Sequence, residues 1–382
     1  MKILTIIGAR PQFIKASVVS RSIEEYNRNT SNKIEEKIVH TGQHYDSNMS
    51  DVFFNEMKIP RPYYNLSVGS CSHAEQTGKM MIAIEKILFD EKPELVLVYG
   101  DTNSTLAGAL TASKLNIPIA HVEAGLRSFN REMPEEVNRV LTDQLSSILF
   151  CPTDVAVKNL KKEGIPNNKI NNKVIKSGDV MYDASLFYSN IAKDEWLKNN
   201  DLKTNDYILA TVHRAENTNN IDRLRNIILA LDKISKDNYQ IVFPIHPRTK
   251  SVIEKYKELQ IIINNSNIKI IAPLGFLDMI SAEKNSKFIL TDSGGVQKEA
   301  YFHKKLCITL REETEWVELV KSGWNKLAGV EINNILSTVN QVNNINFDSL
   351  EYYDFYGKGD AGKIIVSELV NYLKYISIGY RK

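Results

Sequence analysis

Long apolar runs are missing from this chain. No stretch approaches the ~18–20 consecutive apolar residues a bilayer-spanning helix needs, so membrane insertion is not expected. Cysteine is scarce: Cys71, Cys151 and Cys307 are far apart and odd in number, which argues against a disulfide framework or a zinc site. They read as reduced thiols in a cytosolic protein. An excess of one charge is missing too. Lys and Arg number 48 against 46 Asp and Glu, and a net charge of +2 leaves no electrostatic footprint for nucleic acid. An anionic partner must be held by local groups instead. The opening Met1–Gly8 lacks the core length and cleavage site of a secretory signal and reads as a buried first strand. Metal-ligand spacing, a P-loop and a nucleophile elbow are also absent, so neither metal nor cofactor is expected.

What is present is a strand, turn and helix alternation. A length of 382 residues makes two domains the default. Short apolar runs predict strands buried on both faces, as in parallel sheets. In the first half they are Ile3–Ile7, Lys37–Thr41, Leu95–Tyr99, Ile117–Val122 and Ile148–Cys151. In the second half they are Tyr207–Val212, Gln240–Ile245, Lys269–Ala272, Phe288–Thr291 and Leu306–Leu310. Helical spacing marks Glu75–Phe89, Ser104–Leu115, Ile221–Ile234 and a last helix from about Gly362 to Ile376. Two doubly wound α/β domains follow, with ligands expected beyond the carboxyl ends of the strands. The polar stretch 162–178 holds the boundary, giving 1–172 joined by 362–382, and 173–361.

The strand ends carry the chemistry. Gly8-Ala9-Arg10-Pro11 opens a helix with Arg10 and Lys15 near its N-terminus, which suits a phosphate and equally suits an exposed basic pair. Thr291-Asp292-Ser293-Gly294-Gly295 leads a strand into a helix, and backbone N–H groups there favour a pyrophosphate. Glu299, one turn on, is placed for ribose hydroxyls. Asp101, Glu123 and Glu135 follow strands of the first half; Asp101 and Glu135 also suit helix caps, whereas Glu123 has no helix to serve. His213 and His246 each end a strand with an arginine within two residues, a pattern that fits donors to a phosphate or leaving group.

Taken together, Gly8-Ala9-Arg10-Pro11, Gly42-Gln43-His44, Gly100-Asp101-Thr102, His121-Val122-Glu123-Ala124-Gly125-Leu126-Arg127, Pro134-Glu135-Glu136, His213-Arg214, Asp292-Ser293-Gly294-Gly295-Val296-Gln297-Lys298-Glu299 and Thr314-Glu315 carry a resemblance. The chain resembles the non-hydrolysing UDP-N-acetylglucosamine 2-epimerases along nearly its whole length. That resemblance implies a GT-B-like pair of Rossmann-type domains with parallel sheets facing a central cleft, a homodimer, and a C-terminal helix returning to the first domain. It implies inversion at C2 of a UDP-2-acetamido sugar by elimination and re-addition of UDP, in the cytoplasm, for surface polysaccharide biosynthesis. Asp101, Glu123, Glu135 and His213 are then the catalytic set, and Arg10, Lys15, His213, His246, Phe276, Ser293, Gly294, Gly295 and Glu299 the UDP site. Gln43 and His44 match an activator site of bacterial members. Gln12, Ala215 and Trp316 depart from the usual Gly-Thr-Arg-Pro-Glu, His-Arg-Arg-Glu and Thr-Glu-Arg-Pro-Glu. The departures resemble a branch acting on UDP-2,3-diacetamido-2,3-dideoxyglucuronate. A relative that hydrolyses the glucal, a retaining glycosyltransferase and an inactive UDP-sugar binder share the architecture.

Overall fold

Runs such as Leu95–Tyr99, apolar at every position, are satisfied only where both faces of a strand are covered, and all five residues are buried. The structure is a computed structural model that describes residues 1–43, 54, 58–167, 172–192, 195–237 and 239–379. It comprises two units, Met1–Ala184 with Asp354–Lys382, and Ser185–Tyr353. Among the described residues no helix is long and apolar enough to cross a membrane.

In the first unit the order is β1 (Lys2–Ile7), α1 (Arg10–Arg28), β2 (Glu35–His40), β3 (Tyr64–Asn65), α2 (His73–Glu91), β4 (Leu95–Tyr99), α3 (Asn103–Lys114), β5 (Ile119–Val122), α4 (Pro134–Leu145), β6 (Ile148–Cys151), α5 (Asp154–Lys162) and β7 (Lys173–Lys176). The seven strands form one sheet in the order β3-β2-β1-β4-β5-β6-β7. β1 pairs in parallel with β2 on one side and β4 on the other, with Ile3 opposite both Glu36 and Leu95. The winding reverses between β1 and β4, so their carboxyl ends form the switch point where ligands enter such sheets. Helix α6 (Val180–Ser189) then carries the chain out of this unit.

In the second unit α7 (Glu195–Asn199), β8 (Tyr207–Thr211), α8 (Ala215–Thr218), α9 (Ile221–Lys236), β9 (Gln240–Pro244), α10 (Pro247–Lys255), α11 (Lys257–Asn264) and β10 (Ile268–Ile271) come first. They are followed by α12 (Phe276–Asn285), β11 (Ile289–Thr291), α13 (Gly294–Phe302), β12 (Cys307–Thr309), α14 (Val317–Lys321), β13 (Asn325–Leu327) and α15 (Ile332–Asn343). The sheet order is β10-β9-β8-β11-β12-β13, all parallel, with its switch point between β8 and β11. Helix α9 shows why the periodicity is reliable. Leu224, Ile227, Ile228, Leu231 and Ile234 are buried on one face, and Asn220 caps the start by accepting from the Asp222 and Arg223 N–H groups.

Three edge strands escaped the apolar pattern. β3 has two residues, β7 reads Lys-Val-Ile-Lys and β13 reads Asn-Lys-Leu. Edge strands are short and carry charge, which conceals them in a search for buried runs. The stretch 162–178, read as the boundary, contains β7, which pairs with β6 in the first sheet. The units therefore divide after Ala184 and after Tyr353, where 172 and 361 were expected.

The last helix, α16 (Ala361–Gly379), belongs to the first unit and packs along α1. Its apolar face, Ile365, Val366, Leu369, Val370 and Leu373, is buried. Asp183 of α6 receives the Gly362 N–H at 3.0 Å, and the Asp179 N–H reaches the Tyr356 carbonyl at 2.9 Å. Burial lifts the Asp183 carboxyl to about 6, while the Gly362 and Ala361 N–H groups hold it down. A carboxyl whose folded value lies above its unfolded one loses stabilising effect as pH rises through the folded value. Asp183→Ala is expected to cost about 0.5–2 kcal/mol in chemical denaturation through loss of the cap. Asp183→Asn keeps an acceptor without the buried charge, and is expected to match or exceed wild-type stability above pH ~7 while gaining nothing near pH ~4.

Candidate functional site

At the switch point of the first unit, the turn after β1 is held by a single amide. The Gln12 Oε1 accepts from the Gly8 and Ala9 N–H groups at 2.8 and 3.1 Å, and its Nε2 donates to the Tyr99 carbonyl at 2.7 Å and to Thr105 Oγ1 at 3.0 Å. Gln12 thus ties the end of β1 to the end of β4. The tie needs a donor and an acceptor on one side chain, which an ionised Glu lacks. Gln43 is buried nearby, and its Oε1 accepts from the Ser104 N–H at 2.9 Å and hydroxyl at 2.6 Å. His44 lies outside the described residues. Arg10 is half-buried at the first position of α1.

The carboxylates cluster around the ends of β4 and β5. Glu123 forms an ion pair with Lys15, and both side chains are largely buried. Glu123 stands at φ +73°, in the left-handed region that a side chain of its size enters only when the surroundings hold it. Gly100 faces it at φ +63°, and a Cβ on Gly100 would lie 3.2 Å from Glu123 Oε2 and 3.6 Å from Lys15 Nζ. Asp101 follows directly and takes Arg139 Nη2 on Oδ2 at 2.5 Å. Burial lifts the Asp101 carboxyl above the usual carboxylate range; Arg139 opposes the lift and Glu123 adds to it. Asp101, Glu123 and Lys15 are therefore brought together.

Glu135 and Glu136 part company. Glu136 is buried and accepts from the Ser128 N–H and hydroxyl, both at 2.9 Å, and from the Phe129 N–H at 3.0 Å. Glu135 is exposed in the first turn of α4, and no contact among the described residues joins it to Asp101 or Glu123.

In the second unit a fully buried carboxylate organises the switch point. Asp292 accepts from the His213 N–H at 3.0 Å, from the Arg214 N–H at 3.0 Å and from Asn217 Nδ2 at 3.0 Å, fixing the turn after β8. The His213 and His246 rings lie 5.2 Å apart. Burial lowers both imidazoles below their ordinary value. The Asp292 carboxylate partly offsets this at His213, and the His213 ring and Arg248 reinforce it at His246. His246 Nδ1 accepts the Arg248 N–H at 3.1 Å, which leaves Nε2 as the donor nitrogen of a neutral ring.

Ser293 caps α13, with its hydroxyl accepting the Val296 N–H, so the amides of Gly294 and Gly295 start the helix. Around Gly294 stand Arg214, Glu315 and Trp316, and Trp316 Nε1 donates to the Gly294 carbonyl at 2.8 Å. Lys298 lies over the Trp316 ring at 4.4 Å, while Glu315 pairs with Arg311 at 3.1 Å. Phe276, at the first position of α12, meets Tyr188 edge to face at 5.3 Å. Glu299 sits one turn into α13, facing Glu283, whose carboxyl is held well above its ordinary range by burial and by Glu299. Asp292 and Trp316 were not singled out as site residues. Asp292 stood in view between β11 and its helix, but its partners lie about 80 residues upstream (79 for the His213 N–H). Among the described residues no cluster of three or more His, Cys, Asp or Glu could hold a metal ion.

Comparison with known proteins bears on this geometry. The sequence model described as UDP-N-acetylglucosamine 2-epimerase matches residues 27–370. The chain belongs to that family. The UDP-N-acetylglucosamine 2-epimerase homolog of Methanococcus maripaludis is 53% identical over 375 residues, 97% of this chain and 100% of the relative. The UDP-2,3-diacetamido-2,3-dideoxy-D-glucuronate 2-epimerase of Pseudomonas aeruginosa is 53% identical over 330 residues, 86% of this chain and 88% of the relative. The crystal structure of Methanocaldococcus jannaschii UDP-GlcNAc 2-epimerase, in complex with UDP-GlcNAc and UDP, matches with a TM-score of 0.84 at 45% identity, covering 97% of this chain and 100% of that one. The two parallel α/β sheets are thus those of the epimerase family.

Gly100 stands at positive φ with little room for a side chain, since an added Cβ would lie 3.2 Å from the Glu123 carboxylate. Gly100→Ala forces a methyl against the Glu123 carboxylate at positive φ and is expected to destabilise the protein by about 1–2 kcal/mol, read as a lowered midpoint in denaturant.

Proposed function

We propose that this chain is a non-hydrolysing UDP-N-acetylglucosamine 2-epimerase that interconverts UDP-GlcNAc and UDP-ManNAc. The observation that carries the reading is the carboxyl pair at the first switch point. Glu123 is paired with a cation, and beside it Asp101 is lifted by burial, the kind of contrast that separates acid from base. The C2 proton of an acetamido sugar is not acidic, so a base removes it as the C1–O bond to UDP breaks, giving a 2-acetamidoglucal. UDP then adds back at C1 while an acid protonates C2 from the opposite face. Asp101, Glu123 and Glu135 serve as the acid and base groups, and His213 assists the departing diphosphate.

The UDP site is assigned to Arg10, Lys15, His213, His246, Phe276, Ser293, Gly294, Gly295 and Glu299. The α13 N-terminus supports it, since the Gly294 and Gly295 amides are free of side chains and the helix favours negative charge. Glu299 reads the ribose hydroxyls and Phe276 offers its ring to the base. We place the enzyme in the cytoplasm as a homodimer supplying a surface polysaccharide. Ile82 and Phe89, exposed one heptad apart on α2, support an interface between copies.

A second reading is favoured by the Pseudomonas relative together with Ala215 and Trp316, where the family usually has arginines. In it the substrate is the 2,3-diacetamido uronate, whose extra acetamido group and carboxylate ask for a different sugar pocket.

Incubation in deuterated water with each UDP-sugar separates the readings by NMR. The substrate gains deuterium at C2 and yields both epimers without accumulating free UDP; no exchange with either sugar would refute epimerisation. Glu123→Gln is expected to lower kcat by ~10²–10⁴-fold while UDP still binds in calorimetry. Arg139→Gln removes the cation that holds the Asp101 carboxyl down, so the limb of the kcat profile that Asp101 sets, acidic if it is the base and basic if it is the acid, should move to higher pH. An unmoved limb would remove Asp101 from the titrating set.

A further inference from the structure

β5 reads Ile-Ala-His-Val, all four residues buried, with an imidazole in the middle of an otherwise apolar strand. His121 is fully buried and both of its nitrogens are engaged. Nε2 lies 2.7 Å from the Gly100 carbonyl and Nδ1 lies 2.7 Å from Asp143 Oδ1 in α4. Carbonyl and carboxylate are both acceptors, so the two bonds are complete only when each nitrogen carries a proton or shares one with Asp143. Asp143 is fully buried too, and its other oxygen accepts the Gly125 N–H at 3.1 Å and Arg127 Nη1 at 2.7 Å. Arg127 in turn grips Glu163 through two bonds of 2.7 Å.

Burying an imidazole, a carboxylate and a guanidinium together costs desolvation that an apolar trio of similar volume avoids. The geometry ties that cost to the two catalytic turns. The Gly100 carbonyl and the Asp101 N–H share one rigid peptide plane. Fixing the oxygen therefore fixes the plane from which Asp101 starts. On the other side, Gly125 is two residues beyond Glu123, whose positive φ persists only if both flanks are held. The Asp143 carboxylate holds one flank directly and the Gly100 carbonyl through His121.

We infer that His121, oriented by Asp143, is a positioning residue that sets the Asp101 turn against the Glu123 turn. The inference rests on the reading of those two carboxylates as the acid and base groups. His121 touches no reacting atom; it acts through the backbone of Gly100.

The test compares His121→Leu, His121→Asn and His121→Gln in the full-length enzyme by circular dichroism, UDP calorimetry and C2 deuterium exchange. His121→Leu is expected to fold, to bind UDP within about threefold of wild type, and to lose ~10–100-fold in kcat with little change in KM. His121→Gln extends an amide N–H towards the Gly100 carbonyl and should recover at least ~10-fold of that loss. Wild-type kcat in folded His121→Leu, or a parallel loss of UDP binding, would overturn the inference. Should His121→Leu not fold, His121→Asn replaces it. Its shorter amide cannot span both partners, so an undiminished kcat there overturns the inference equally. Asp101→Asn and Glu123→Gln run alongside. If both keep wild-type turnover the acid and base reading falls; if they lose it while the His121 variants do not, only the positioning role falls.

Discussion

A parallel sheet ends all its strands on one edge, and that constraint governs the molecule. Each strand must hand over to a helix at the same edge, so groups far apart in sequence arrive side by side without a loop being built to carry them. Gly8, Gly100 and Glu123 meet in the first unit because β1, β4 and β5 are neighbours. His213 and Asp292 meet in the second because β8 and β11 are neighbours. In both units the reversal of winding falls beside the strand that opens the unit.

The two edges use opposite electrostatic strategies. The first holds carboxylates against cations at close range, Glu123 with Lys15 and Asp101 with Arg139. Charge there is paired before any ligand arrives, and burial keeps one carboxyl from behaving as an ordinary surface acid. The second holds neutral imidazoles whose protons are pushed off by burial and nearby arginines. Its buried Asp292 spends its oxygens on backbone and amide donors, while the Arg214 side chain pairs with Glu315. Trp316 braces the Gly294 carbonyl from the far side of the same turn, where it also lies beneath Lys298.

Much of this was legible in the sequence, and the gaps have physical causes. Central strands announce themselves because both faces must be apolar; β3 has only two residues, and the edge strands β7 and β13 are interrupted by lysine, so these three do not. Asp101 and Glu123 stood out by following strands. The division of labour between Glu135 and Glu136 did not, because neighbours on a helix point about 100° apart and only the fold says which direction is inward. The ion pair of Lys15 with Glu123 was not legible, because position near a helix start says nothing about a carboxylate 108 residues away. His121 and Asp143 are separated by 22 residues, and a strand histidine gives no sign of which acceptors it meets.

The amide of Gln12 has a further consequence. The carboxyl and lysine ties beside it involve groups that gain or lose a proton, but a carboxamide does neither in water, and the Gln43 amide on Ser104 shares that property. The join between the first and fourth strands is thus indifferent to acidity. Protons can come and go on the carboxyls while the frame that sets their spacing keeps one shape, much as a clock's plates stay still while its wheels turn.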